Sequence, residues 1–253
     1  MKFTLTGSGT SQGVPVIGCQ CPVCQSSDPR DQRLRTSGVL ESETTTLVFD
    51  TGPDFRQQML RADIRQLDGV VFTHEHNDHT AGLDDLRPFI FRQRKDMPLF
   101  ATERVLQFLR QSFAYAFAED RYPGAPSFEV NLIEDQPFEL GDIRLEPIPL
   151  WHGKLPVLGF RIDNFAYLTD TNNIPEASIA KLQGLDFLLL DALHHRKHYS
   201  HFTLEEAIQA VQRIQPKCTY FLHISHLMGL HADIEAQLPD DMHLAYDGLE
   251  VEW

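Results

Sequence analysis

Positive charge is in short supply in this 253-residue chain: 22 Lys and Arg stand against 36 Asp and Glu, a formal net charge of −14 at pH 7. Such a surface repels phosphate backbones, so a nucleic-acid polymer is not an expected partner unless basic residues cluster. Long apolar runs are missing too. None approaches the ~18 residues that a membrane helix needs, so no membrane association is expected. Met1-Lys2-Phe3-Thr4-Leu5-Thr6 alternates like a strand instead of reading as a signal peptide, which gives a cytoplasmic expectation. Cysteine is scarce. Of four, Cys19, Cys21 and Cys24 fall within six positions, while Cys218 lies apart in an apolar stretch. In a reducing compartment that trio reads as thiolate ligands more readily than as disulfides, with a reactive thiol pair as the competing reading.

What is present is ordinary for a soluble globular protein: 42% apolar and 23% charged residues. The length stands near the upper size for one hydrophobic core and suits one α/β domain or two small ones. Strand-like runs at Ser37–Glu41 and Thr46–Asp50 form a hairpin pattern, as do Val157–Ile162 and Phe165–Asp170 across Asp163-Asn164. A helix opens within Asp50–Arg56, with Pro53 in its first turn, and runs to about Ala62, and helical spacing also covers 82–93 and 103–118; Phe89, Phe91, Phe108 and Phe113 on these stretches read as core or lid residues. Thr203 and Glu206 match a capping box that opens a helix to about Ile214. The loop Gly7–Gly13 is glycine-rich, which alone marks no more than a turn. Two blocks of strands, each followed by helices, predict four layers, with helices outside two facing sheets.

The densest chemistry is Thr73-His74-Glu75-His76-Asn77-Asp78-His79, at the end of the apolar strand pattern Leu67–Thr73. Imidazoles with a carboxylate suit Zn²⁺, Mn²⁺ or Fe²⁺ more than Ca²⁺. Other apolar strands also end in a metal-capable residue: Asp50, His152, Asp170, Asp191 and His223. Strand ends of layered α/β proteins gather at one site, so residues far apart in sequence can converge there.

The run His74-x-His76-x-Asp78-His79, with Asp50 upstream and His152, Asp170 and His223 downstream, resembles the metallo-β-lactamase superfamily along essentially the whole chain. Gly18-Cys19-Gln20-Cys21-Pro22-Val23-Cys24 and His223-Ile224-Ser225-His226 resemble the branch that contains the phosphoribosyl cyclic phosphodiesterase of the carbon–phosphorus lyase pathway. The resemblance implies an αββα sandwich, a single metallo-hydrolase domain over 1–253 with a zinc knuckle at 18–26, and a homodimer. It implies one metal on His74, His76 and His152, a second on Asp78, His79 and His223, and Asp170 bridging; the cofactors would be two Mn²⁺ or Zn²⁺ ions, with Fe²⁺ a third option. Such a pair can share a hydroxide and act on small or cyclic phosphodiesters. Asp50 would orient ligands by hydrogen bonds, or serve only as a strand-end cap. Cys19, Cys21, Cys24 and His226 would close around a structural Zn²⁺. His201, from the loop His194–Thr203, is the candidate catalytic acid beside Asp78, with His194, His195 and His198 unassigned. Thr171-Asn172-Asn173 departs from the small residues of that branch and puts its phosphoribosyl substrate in doubt. The rival functions are a ribonuclease Z-like endonuclease, a thioester or lactam hydrolase of the same fold, and a non-catalytic metal-binding regulatory module.

Overall fold

Neighbouring residues of the central strands point to different cores, and this alternation builds the layers. The computed structural model describes residues 1–253. Strands β1 (Lys2–Gly7), β2 (Ser37–Glu41), β3 (Thr46–Phe49), β4 (Gly69–Val71), β5 (Met97–Ala101) and β6 (Phe128–Leu132) lie side by side in that order. The first three pair antiparallel and the last four parallel. A second sheet runs β7 (Phe138–Leu140), β8 (Ile143–His152), β9 (Leu155–Ile162), β10 (Phe165–Leu168), β11 (Phe187–Asp191), β12 (Cys218–Leu222) and β13 (Met242–Leu244). It is antiparallel as far as β10 and parallel beyond. The last strand, β14 (Leu249–Glu252), returns to pair with β1.

Between the sheets, Phe3, Leu40 and Phe49 meet Phe160, Phe165, Tyr167 and Leu189 in one core. The residues next to them face outward: Val39 and Val48 pack under helices α1 (Phe55–Arg61), α3 (Arg87–Gln93) and α4 (Glu103–Ser112). Leu188 and Leu190 likewise pack under α6 (Glu176–Lys181) and α7 (Leu204–Ile214). Three short helices, α2 (Asn77–Thr80), α5 (Ala114–Phe117) and α8 (His231–Glu235), fill the connections. The architecture is the αββα sandwich expected from the sequence. No helix is long and apolar enough to cross a membrane.

Local departures from the expected elements have local causes. Pro53 precedes α1 instead of opening its first turn, and Asp54 at the N-cap makes no capping bond because Arg35 takes both of its oxygens, at 2.8 and 2.9 Å. The stretch 82–93 divides into a 3-10 turn, Leu83–Leu86, and α3, whose first turn holds Pro88, a residue without an amide to continue a ladder. The stretch 103–118 breaks at Phe113, which leaves the helical region at φ −120° and ψ 41° and so turns both Phe113 and Phe117 onto the core beneath α4. Phe89 is buried there and Phe108 partly so, whereas Phe91 faces solvent. The Thr203–Glu206 capping box is complete in both directions.

The loop from β1 to β2 is held by one buried cation. Arg33 donates to Ser8 Oγ (2.9 Å), the Ala245 carbonyl (2.5 Å) and His231 Nδ1 (3.1 Å). Burial, then Arg33 and Arg30, push the His231 pKa down to about 4. An unfolded histidine titrates near 6.5, so the unfolded chain binds the extra proton first as pH falls. The stability that neutral His231 contributes is therefore full above about pH 6.5 and is lost between there and pH 4. Urea unfolding at pH 7.5 and 5.0 is expected to differ by roughly 1–3 kcal/mol more in the wild type than in His231→Gln; equal differences would rule this out.

Candidate metal centre

The site forms where the strands of both sheets end. At the end of β3, Asp50 adopts a left-handed backbone (φ 62°), as do Asp170 (φ 50°) after β10 and His223 (φ 60°) after β12. This conformation is uncommon outside glycine and concentrates at functional sites. Gly52 makes close approach possible from the first sheet, since a Cβ there would lie 2.1 Å from the Asp78 carbonyl. The turn that carries the histidines can therefore fold down onto the end of β3.

Within that turn, His74 and His79 are buried and His76 exposed. Donor atoms of His74, His76, His152 and Asp170 all lie within 4.8 Å of one another, and those of His79, Asp170 and His223 form a second set, so Asp170 belongs to both. His74 Nε2 faces His76 Nδ1 at 3.0 Å, and His223 Nδ1 lies 3.0 Å from Asp170 Oδ1. Donors on a tetrahedral ion with bonds of about 2.1 Å stand about 3.4 Å apart, close to these separations. Asp78 approaches His79 Nε2 at 3.4 Å but stays outside the tighter sets. His79 Nε2 and His223 Nε2 are buried without a hydrogen-bond partner. An imidazole nitrogen left orphaned beside a buried shared carboxylate, as His79 Nε2 is at 3.2 Å from Asp170 Oδ1, fits a bound cation.

Electrostatics agree with the donor chemistry. Burial alone would raise Asp170, but His223 and His79 hold its pKa well below the usual carboxylate range. Burial opposes charge on His79, yet Asp170, Asp50 and Asp78 raise its pKa well above that of free imidazole. Burial and then His79 lower His74. The supporting contacts fix ring orientation: Asp50 Oδ2 accepts from His79 Nδ1 (2.7 Å), and Thr73 donates to both Asp50 oxygens at 2.8 Å. His152 Nδ1 meets the Ser200 carbonyl at 2.8 Å. Thr36 Oγ1 meets His223 Nδ1 at 3.2 Å.

His201 stands between the two donor sets, its ring centroid 4.5 Å from that of His152 and 4.6 Å from that of His223. Asp191, ending β11, takes His201 Nδ1 at 3.0 Å and accepts the Phe202 amide at 3.1 Å. Burial pulls the His201 pKa down, but Asp191, with smaller contributions from Asp170 and Asp78, raises it to about 9. The sequence marked Asp191 as a strand-end residue without giving it this partner. It marked Thr171-Asn172-Asn173 only as a departure from the branch and gave no sign that Asn172 accepts from the Gly153 amide and donates to the Tyr199 carbonyl, both at 2.9 Å, so that it ties the His152 turn to the His201 loop. Of the remaining histidines, His195 meets the Met228 carbonyl at 2.8 Å, His194 accepts the Arg196 amide, and the His198 ring lies 5.2 Å from His201.

A separate set lies at the protein surface. His226 Nδ1 is 3.3, 3.4 and 3.5 Å from the sulfurs of Cys19, Cys21 and Cys24, close to the about 3.6 Å expected between sulfur and nitrogen on one tetrahedral Zn²⁺. The Cys24 amide, with smaller contributions from the other three members of the set, pulls the Cys21 thiol down to about 6. The first loop meets β12 here: Gly9 bridges to Ile224, one residue past His223.

Residues 45–224 match the family model of the beta-lactamase superfamily domain. A crystal structure titled as a new diphosphatase from the PhnP family superposes with a TM-score of 0.94 at 42% identity, covering 100% of this chain and 96% of that one. Zinc-bound PqqB from Methylobacterium extorquens superposes at 0.84 with 19% identity over the full length of both chains, a likeness of fold alone. The octanoyltransferase of Porphyromonas gingivalis (strain ATCC BAA-308 / W83) is 40% identical over 254 aligned positions, which cover 99% of this chain and 51% of that protein. The chain thus spans about half the length of that relative.

The approach of Gly52 to Asp78 sets an expectation. Gly52→Ala should destabilise the fold by about 1–3 kcal/mol, as overpacking does, read as a lower midpoint in chemical denaturation; an unchanged midpoint would mean that the turn has room to shift.

Proposed function

The chain belongs to the metallo-β-lactamase superfamily, in its PhnP branch, and on that premise we propose that it is a metal-dependent hydrolase of small or cyclic phosphodiesters. The observation that carries this reading is the sharing of Asp170 by two donor sets, with His201 poised between them. His74, His76, His152 and Asp170 would hold one divalent ion, and Asp78, His79, His223 and Asp170 the other, as Mn²⁺, Zn²⁺ or Fe²⁺. Bound there, the ions would supply an activated water and neutralise charge on phosphoryl oxygens. The protein's own groups do the rest. Asp50 fixes His79 through Nδ1, so that Nε2 faces the centre. Asp191 engages His201 Nδ1 and leaves the Nε2 proton to meet a leaving alkoxide. The 42% identical diphosphatase supports phosphoryl chemistry at this centre.

A polymeric substrate is disfavoured by the net charge of −14. The octanoyltransferase relative does not move the reading toward acyl transfer. Cys19, Cys21 and Cys24 gather on His226, and Cys218 begins β12 at the end away from His223, so no thiol stands at the centre as a nucleophile. We assign that thiol set to one structural Zn²⁺, which would staple the first loop to the end of β12.

Three measurements test this. A panel of bis-p-nitrophenyl phosphate, 2′,3′-cyclic nucleotides, a ribose 1,2-cyclic phosphate, precursor tRNA and a thioester, run with each metal, should give turnover on the small phosphodiesters; none with any metal would end the proposal. His201→Ala should lose about 10²–10⁴-fold in turnover at unchanged metal content, and equal activity would remove it from the chemistry. Cys21→Ala should lose one tightly held Zn²⁺ per chain by elemental analysis; undiminished zinc would refute the staple.

A further inference from the structure

Asn172 lies two residues past the shared carboxylate Asp170, and its side chain joins two turns by their backbones. Oδ1 accepts the amide of Gly153, the residue after His152, and Nδ2 donates to the carbonyl of Tyr199, two residues before His201, both at 2.9 Å. The turns also touch: a Cβ on Gly153 would lie 3.3 Å from the Ser200 Cβ and 3.3 Å from the Tyr199 carbonyl oxygen. From His195 to Phe202 the chain forms neither helix nor strand, so the place of His201 rests on single bonds. After it, the Phe202 amide meets the Thr171 carbonyl at 3.0 Å and Asp191 Oδ2 at 3.1 Å. Before it, the Ser200 carbonyl meets His152 Nδ1 at 2.8 Å, and the Tyr199 carbonyl meets Asn172. Asn172 is itself pinned, since its amide donates to the Trp151 carbonyl at 3.0 Å at the end of β8.

We propose that Asn172 is a positioning residue whose side chain sets the distance between His201 and the metal site of His152; this rests on the phosphodiesterase reading above. In that reaction water forms a new P–O bond and the bond to the leaving alkoxide breaks. The Nε2 proton of His201 passes to the alkoxide oxygen, and the proton given up by the water restores His201. An acid acts only within about 2.6–3.2 Å of the oxygen it protonates, and a misplacement of about 1 Å from a remote change can cost about 10²-fold. The side-chain amide suits the gap because it accepts on one side and donates on the other. Aspartate would offer the Tyr199 carbonyl no donor, and leucine would serve neither backbone group.

Asn172→Leu keeps the bulk and removes both bonds; Asn172→Ala is a second variant without the bulk. On ribose 1,2-cyclic phosphate, whose leaving group is an alkoxide, kcat should fall about 10- to 100-fold at unchanged KM and metal content. On bis-p-nitrophenyl phosphate, whose phenolate departs without a proton, the loss should be much smaller. Added to His201→Ala, the substitution should cost nothing further, as expected of two residues acting through one proton. Equal losses on the two substrates, a loss carried by KM or by metal content, or a full further loss in the double variant would each overturn the assignment. Hydrogen exchange reads the tie without turnover: Gly153 and residues 199–202 should exchange faster in Asn172→Leu than in the wild type, and unchanged exchange there would overturn it. Faster exchange in the variant, with no turnover of either substrate by the wild type, would leave the positioning of His201 by Asn172 standing and refute the phosphodiesterase reading instead.

Discussion

A carboxylate with almost no exposure, ringed by imidazoles, is the constraint on which the rest of the molecule depends. Asp170 is 1% exposed, and an isolated buried charge of this kind is strongly unfavourable unless cations or donors surround it. Here they come from both sheets: His74 and His79 from the first, His152 and His223 from the second. The two sheets must therefore meet with their strand ends in register. The aromatic core around Phe3, Phe49, Phe160, Phe165 and Tyr167 holds them at that spacing.

Much of this was legible in the sequence because local rules govern it. The His74–His79 cluster needed only its spacing and the apolar strand before it. The layered fold followed from runs such as Leu188-Leu189-Leu190, whose alternate members enter different cores. The Thr203–Glu206 box is a contact between residues three apart. What stayed hidden is nonlocal. Asp191 and His201 are ten positions apart across a loop whose path no periodicity encodes. Asn172 serves two backbone groups that come near it only once the hairpin and the histidine loop are folded. The break at Phe113 is likewise a tertiary override, since the spacing of the stretch is helical throughout and the core beneath decides where the chain turns.

The first loop has a larger part than its lack of regular structure suggests. It crosses from β1 to β2 carrying Gly9 against Ile224 and Thr36 against His223, and Arg33 anchors it from below. The three cysteines meet His226 at its outer end. Contacts thus bracket His223 from several sides, so the position of this imidazole depends on residues near the chain's beginning as much as on β12.

Asp50, Asp170 and His223 share a backbone conformation that glycine would occupy at least cost. Each departure from glycine sacrifices on the order of 1 kcal/mol of backbone free energy to aim one side chain at the centre. None of the three can revert cheaply, however: without Asp50 the Thr73 amide and hydroxyl and His79 Nδ1 lose their shared acceptor, and without Asp170 the buried rings of His79 and His223 lose the carboxylate they face. The small backbone strain at 50, 170 and 223 is thus locked in by the larger set of contacts that each side chain completes.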